Sequence, residues 1–203
     1  MITLIAVAAV AGLSAFTAVA VKDQTYVASP ALSTNAQTSS ENVVVYYSRS
    51  GHSEAVALEV AKRLKAPISR IDADYPLSFG GQAKAIADAQ AEAFPLINVE
   101  SLDLRTAKRV YLVSPTWMFR PAPPLWTFVR QSDLSAKEVV LIMTGNSRFK
   151  QEEIDKFSHL VESSGGHLIH QEFIRRGRFY WQMSRVELLD TVNRSMNELA
   201  PQH

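Results

Sequence analysis

From Asn42 onward, short unbroken runs of β-branched and aromatic residues alternate with segments of helical periodicity, and that alternation leaves few folds open. Val43-Val44-Val45-Tyr46-Tyr47 has no polar interruption. A strand with one wet face would alternate polar and apolar, so this run predicts a strand covered on both faces. Glu54 to Leu64 then places Ala57, Val60, Ala61 and Leu64 at i, i+3, i+4 and i+7, the stripe of a helix lying on a core. The pattern repeats down the chain. Strands are predicted over Ile68–Asp72, Val110–Val113, Val139–Met143 and Leu168–Ile174. Helices are predicted over Gln82–Ala93, Ala122–Arg130, Glu152–Val161 and Val186–Leu199. Strands that alternate with helices predict an α/β fold, a five-stranded parallel sheet sandwiched by helices. Right-handed crossovers restrict its topology further.

Upstream of this domain the sequence changes character twice. Met1 to Val21 carries no charge. A helix of that length, at about 1.5 Å per residue, spans about 31 Å, and the hydrocarbon core of a bilayer is about 30 Å thick. An N-terminal hydrophobic helix that enters a membrane is therefore expected. No Lys or Arg precedes the run, and the first basic residue, Lys22, follows it. That placement favours an uncleaved anchor with the remainder of the chain on the cytoplasmic side. Ala18-Val19-Ala20 keeps the alternative open, an exported protein whose signal is cleaved. Residues 22–41, with Ser29-Pro30-Ala31-Leu32-Ser33-Thr34 at their centre, are small and polar and read as a flexible linker. The folded domain is expected to occupy 42–203.

Composition removes several classes of function. The 203-residue chain has no cysteine, which excludes a disulfide framework, a thiolate metal site and a thiol nucleophile. Its 21 Lys+Arg against 20 Asp+Glu give a net charge of +1, with no chain-wide basic excess to support nucleic-acid binding. His159, His167 and His170 share no metal-ligand spacing with carboxylates.

In parallel α/β sheets, ligands bind beyond the carboxyl ends of the strands. After the first strand comes Ser48-Arg49-Ser50-Gly51-His52-Ser53-Glu54, hydroxyls and a glycine leading into a helix. Unpaired backbone N–H groups and the helix dipole suit a phosphate there. Equally, Ser50 or Ser53 could simply cap the helix. After the third strand, Ser114-Pro115-Thr116-Trp117-Met118-Phe119-Arg120-Pro121 places a tryptophan in a proline-stiffened loop. It either stacks on a flat ligand or closes the end of the core. After the fourth strand, Thr144-Gly145-Asn146 supplies small hydrogen-bonding groups. A phosphate cradle, an aromatic platform and a polar rim together describe a site for a phosphorylated flat cofactor.

Taken in order, these segments resemble the flavodoxin-like family. The resemblance rests on Ser48-x-Ser50-Gly51-x-Ser53-Glu54, on Pro115-x-Trp117, on Ser132-Asp133-Leu134-Ser135-x-Lys137 and on the Thr144-Gly145 turn, across Asn42 to Leu199. It implies a three-layer fold that binds FMN without a covalent link. It also implies that Ser48, Arg49, Ser50, Gly51, His52 and Ser53 surround the phosphate. Trp117 would stack on the isoalloxazine, with Pro115, Thr116, Met118 and Phe119 around it, and Thr144, Gly145 and Asn146 would border the ring edge. The chain departs from the family pattern at the phosphate loop, where serines stand for threonines and His52 for an asparagine. It departs in charge as well, because Arg49, Arg120 and Arg148 fall in the three candidate loops. Cations beside the ring would favour its reduced, more negative form and make the potential less negative.

The expected function is a membrane-tethered, FMN-binding electron-transfer protein working with a redox partner protein. The first alternative is an NAD(P)H-dependent reductase of a quinone or another acceptor. A second is a flavin-free, membrane-tethered interaction domain. Arg175-Arg176-Gly177-Arg178-Phe179-Tyr180-Trp181 reads either as a solvated basic turn or as a dock for an anionic partner.

Overall fold

Consecutive residues of the first strand, β1 (Asn42–Tyr47), point to opposite faces of the sheet, and both faces are covered. Val43, Val45 and Tyr47 enter one core and Val44 and Tyr46 the other. A computed structural model describes residues 25–30, 41–100, 102–177 and 182–199. Met1–Val21, residues 31–40 of the expected linker, and Arg178, Phe179, Tyr180 and Trp181 lie outside the described residues. No helix among the described residues is long and apolar enough to cross a membrane.

In chain order β1 is followed by α1 (His52–Leu64), β2 (Ile68–Ala73), α2 (Phe79–Gln90), β3 (Ile97–Val99), β4 (Arg109–Trp117) and β5 (Arg120–Pro121). Then come α3 (Pro123–Gln131), β6 (Glu138–Gly145), α4 (Gln151–Ser163), β7 (His167–Arg175) and α5 (Arg185–Leu199). The main sheet runs β3-β2-β1-β4-β6-β7. All its neighbours are parallel except β3, which pairs antiparallel with β2. Every strand and helix expected from Asn42 onward is present. Two short strands add to the expected five. β3 is a three-residue edge, and β5 folds back on β4 with Trp117 opposite Arg120.

The sheet is filled on both sides. α1 and α5 cover one face with Val56, Val60, Leu188 and Val192, packed on Tyr111, Val113 and Ile142. α3 and α4, with Ala85 of α2, cover the other with Leu125, Trp126, Phe157 and Val161, packed on Leu112 and Leu141. Each fully buried Leu or Phe contributes roughly 1.5–3 kcal/mol by leaving water. Ser132–Lys137, one of the segments behind the family resemblance, is structural. Asp133 accepts from the Ser135 amide, Leu134 is fully buried, and Lys137 Nζ donates to the Ala107 carbonyl at 3.1 Å.

The strand order reverses between β1 and β4. Chain connections leave these two neighbours in opposite directions there, so a crevice opens at their carboxyl ends.

Candidate functional site

A cleft of about 230 Å³ lies at that crevice. Three strand ends build it. β1 delivers Ser48, Arg49, Ser50, His52 and Ser53, β4 delivers Pro115, Thr116, Trp117 and Met118, and β6 delivers Thr144, Gly145 and Asn146. The remaining lining comes from Gln82, Ala85 and Ile86 of α2, and from Arg176 just after β7. Arg49 and Arg176 line it, and no carboxylate does so among the described residues.

The loop after β1 takes its shape from Gly51. This residue is the N-cap of α1 at φ 89°, a left-handed conformation that suits glycine. Its amide donates to the buried Ser48 Oγ at 3.1 Å. No side chain caps α1. Neither Ser50 nor Ser53 acts as the cap that the sequence left open. Ser53 turns inward instead, its hydroxyl 2.8 Å from that of Thr144. The helix therefore offers its positive end and first amides to the cleft.

His52, the first residue of α1, has its pKa lowered to about 4. Burial is the main cause, and the charges of Arg176 and Arg185 add to it. At neutral pH the ring is uncharged and carries one N–H donor. Arg49 reaches across to the α2 approach, donating to the carbonyls of Pro76 at 2.8 Å and Ser78 at 3.2 Å.

Trp117 is half-buried and braced edge-on by two tyrosines, with ring centroids 5.5 Å from Tyr47 and 4.9 Å from Tyr75. Burial raises the Tyr47 hydroxyl pKa, and burial with the Asp88 hydrogen bond raises that of Tyr75, so both stay neutral props. Thus Trp117 both lines the cleft and packs against the core edge. Its setting differs from expectation, since Pro115–Trp117 belong to β4 and not to a loop. Pro115 lies near the strand end, where its missing N–H interrupts little of the ladder, and its carbonyl accepts from the Ala122 amide at 3.0 Å. Met118 and Phe119 form the two-residue turn to β5, both with positive φ (49° and 72°). Only Met118 of the pair faces the cleft. Phe119 lies beneath Arg148, whose guanidinium is 5.4 Å from its ring centre.

At the end of β6, an added Cβ on Gly145 would stand 2.1 Å from Thr116 Oγ1 and 2.9 Å from Phe173. Only glycine lets β4 and β7 close on this corner. Asn146 Oδ1 is buried here with no hydrogen-bond partner among the described residues.

Of the expected site residues, all except Gly51 and Phe119 line the cleft. Arg120, expected beside the ligand, is elsewhere. Its side chain is buried, paired with Glu153 at 3.1 Å and Glu92 at 3.5 Å, and stacked on Trp126 at 4.1 Å. The β4–β5 turn sends it back among α2, α3 and α4, where it is neutralised. Gln82, Ala85 and Ile86 were not foreseen as site residues, because α2 carries only a helix-prone, alanine-rich signal. Arg176 was visible in the basic run after β7, but only the fold aims it at the cleft.

No protein-family model matches the chain, and no curated protein matches it. Solved structures do. A flavoprotein from Lactobacillus acidophilus NCFM, solved in complex with FMN, matches with a TM-score of 0.57 at 19% identity, over 65% of this chain and 91% of that one. A protein named as a flavoprotein from Bacteroides uniformis ATCC 8492 matches with a TM-score of 0.62 at 17% identity, over 78% of this chain and 98% of its own. Another, from Bacteroides eggerthii DSM 20697, gives 0.61 at 14% identity, over 79% and 98%. The fold is flavodoxin-like. At these identities the likeness is one of architecture. Within it, the parallel strands keep the order 2-1-3-4-5, with the switch point where the cleft lies.

Proposed function

We propose that this flavodoxin-like domain binds FMN non-covalently in the cleft and serves as an electron-transfer protein, tethered to a membrane through Met1–Val21. The observation that carries the reading is the uncapped N-terminus of α1, opening into a cleft whose other walls are Trp117 and the Thr144–Asn146 turn. The residues present fit the group. The Ser48–Ser53 loop offers hydroxyls, backbone amides, a helix dipole and a neutral His52 to a phosphate. Trp117 offers an aromatic surface for a flat ring. The Asn146 amide oxygen, without a partner among the described residues, and the glycine at 145 suit a polar ring edge brought close to backbone.

FMN, when bound, supplies the redox chemistry. The chain's own part is to hold and orient. The loop after β1 fixes the phosphate end, and Tyr47 and Tyr75 fix the plane of Trp117. At about 230 Å³ the cleft is smaller than the roughly 300–1,000 Å³ of sites that enclose a ligand. Part of the cofactor then stays at the surface, where electrons can pass to a redox partner protein.

A second reading is an NAD(P)H-dependent quinone or acceptor reductase. It is favoured by Arg49 and Arg176 in a lining that has no carboxylate among the described residues, and by the exposed apolar Ile86 and Met118 in the cleft wall. Cations suit an anionic dinucleotide, and the apolar rim a quinone ring.

The test is an absorption and fluorescence titration of the purified chain with FMN. Flavin bands with quenched emission, weakened by Trp117→Ala and by Ser50→Ala, are expected. A colourless protein that takes up no FMN at micromolar concentration overturns the reading and leaves a flavin-free interaction domain. NADPH oxidation that depends on an added quinone separates the reductase from the carrier.

A further inference from the structure

The segment Thr25–Pro30 belongs to the stretch expected as flexible linker, yet it lies directly against the loop that opens α1. The Val27 amide donates to the Ser50 carbonyl at 3.1 Å. Arg185, the first residue of α5, binds this segment and the loop together. Its guanidinium donates to the Val27 carbonyl at 2.9 Å, to Ser29 Oγ at 2.8 Å and to the Gly51 carbonyl at 3.3 Å. The Tyr26 hydroxyl donates to Glu54 in the first turn of α1. The fit is close enough that a Cβ on Gly51 would stand 2.1 Å from the Val27 carbonyl oxygen.

We propose that Thr25–Pro30 and Arg185 form a clamp that holds the Ser48–Ser53 loop in its phosphate-recognising shape, with Arg185 as a positioning residue. The proposal rests on the FMN reading. Its physical basis is the planarity of the peptide. In a trans unit the C=O and the following N–H point in opposite directions. The clamp occupies the Ser50 carbonyl on the outside of the loop, so the Gly51 N–H is turned the other way, toward Ser48 Oγ. The Gly51 carbonyl accepts from the Ala55 amide of α1 at 3.1 Å and from Arg185 at 3.3 Å, and together these aim the His52 N–H oppositely. Glycine at position 51 could sample other orientations at little cost. The clamp removes that freedom before any ligand arrives, and preorganisation of this kind raises affinity by lowering the ordering cost. The benefit is expected first at the phosphate, because among the described residues no hydrogen bond joins the clamp directly to Trp117, Thr144, Gly145 or Asn146.

Selectivity between FMN and riboflavin, which lacks the phosphate, is the readout. The full-length protein is compared with Val27→Pro, which lacks the donating amide, Arg185→Ala and the milder Ser29→Ala, with Val27→Ala as the control that keeps the amide. Val27→Pro, which removes one hydrogen bond, is expected to weaken FMN roughly three- to tenfold, and Arg185→Ala, which removes three, at least as much, with riboflavin affinity unchanged. Val27→Ala should match the parent. An FMN-to-riboflavin ratio unchanged in folded variants overturns the clamp while leaving the FMN reading intact. Amide hydrogen exchange on the ligand-free chain decides the matter even if the parent binds no flavin. Protection of the Val27 amide that is lost in Arg185→Ala supports the clamp, and a Val27 amide unprotected in the parent overturns it.

Discussion

The hydroxyls of Ser53 and Thr144 lie 2.8 Å apart, both buried, and join the first turn of α1 to the end of β6. A helix start and a strand end far apart in sequence are thereby locked across β4, at the point where the cleft needs a fixed width. Either hydroxyl alone would be a buried polar group without its partner, at a cost of about 1–3 kcal/mol. Ser53→Ala and Thr144→Val should each destabilise the domain by about that amount, whereas the double variant should lose clearly less than their sum. Urea unfolding of the four proteins checks this. Strict additivity would show that the pair is not coupled.

Arg120 is the ionic centre of the other face. With Glu153 and Glu92 beside it and Trp126 beneath, its removal leaves the nearly buried Glu153 with Lys156, 3.0 Å away, as its remaining cation among the described residues. Arg120→Ala should cost on the order of 3 kcal/mol of stability, the lower end for a broken buried pair because Lys156 still faces Glu153, and Arg120→Met with Glu153→Gln considerably less. The flavin potential should hardly respond to either, because the charge is compensated locally and the side chain does not line the cleft. A large shift in potential with little loss of stability would return Arg120 to the site.

His52 makes stability pH-dependent in a defined window. The unfolded chain takes up a proton near pH 6.5, while the folded ring resists it to about pH 4, because of burial and then Arg176 and Arg185. Between those values the unfolded state binds more protons, so stability falls as the pH is lowered and levels off, for this group, below about 4. His52→Asn should flatten that part of the profile. Thermal midpoints across pH 4 to 7 are the measurement, and an identical slope in the variant would assign the effect to other groups.

Met118 and Phe119 occupy a turn whose geometry favours asparagine and glycine. Each positive φ on an ordinary side chain costs on the order of 1 kcal/mol or more. Replacing the pair by Asn-Gly should raise the thermal midpoint by several degrees. Met118 faces the cleft, so the same change should weaken FMN binding. A gain in stability with unaltered affinity would mean that the strained turn serves nothing at the site.

Much of the domain was legible before folding. Buried runs such as Val139–Met143 and helical stripes such as Ile154, Phe157 and Val161 are local signals, since each depends only on the periodicity of neighbouring residues. The strand ends followed from them, and with the strand ends came the cleft walls from Ser48 to Asn146. What local pattern could not carry was any property set by a distant partner. β3 is too short to announce itself and exists because β2 offers it an edge. The same is true of β5, which depends on a two-residue turn that no glycine marks. Arg120 and Arg176 look alike in sequence, each an arginine in the segment that follows a predicted strand. Packing buries one against Glu153 and sets the other in the cleft wall. Val27, in a stretch too polar to order itself, finds its place only because the Ser50 carbonyl and Arg185 stand ready 23 and 158 residues away. Hydrophobic periodicity is written along the chain and so determined the layers and the location of the site. Charge pairing, hydrogen-bond partners and backbone approach depend on distances between segments, and these only the tertiary structure decided.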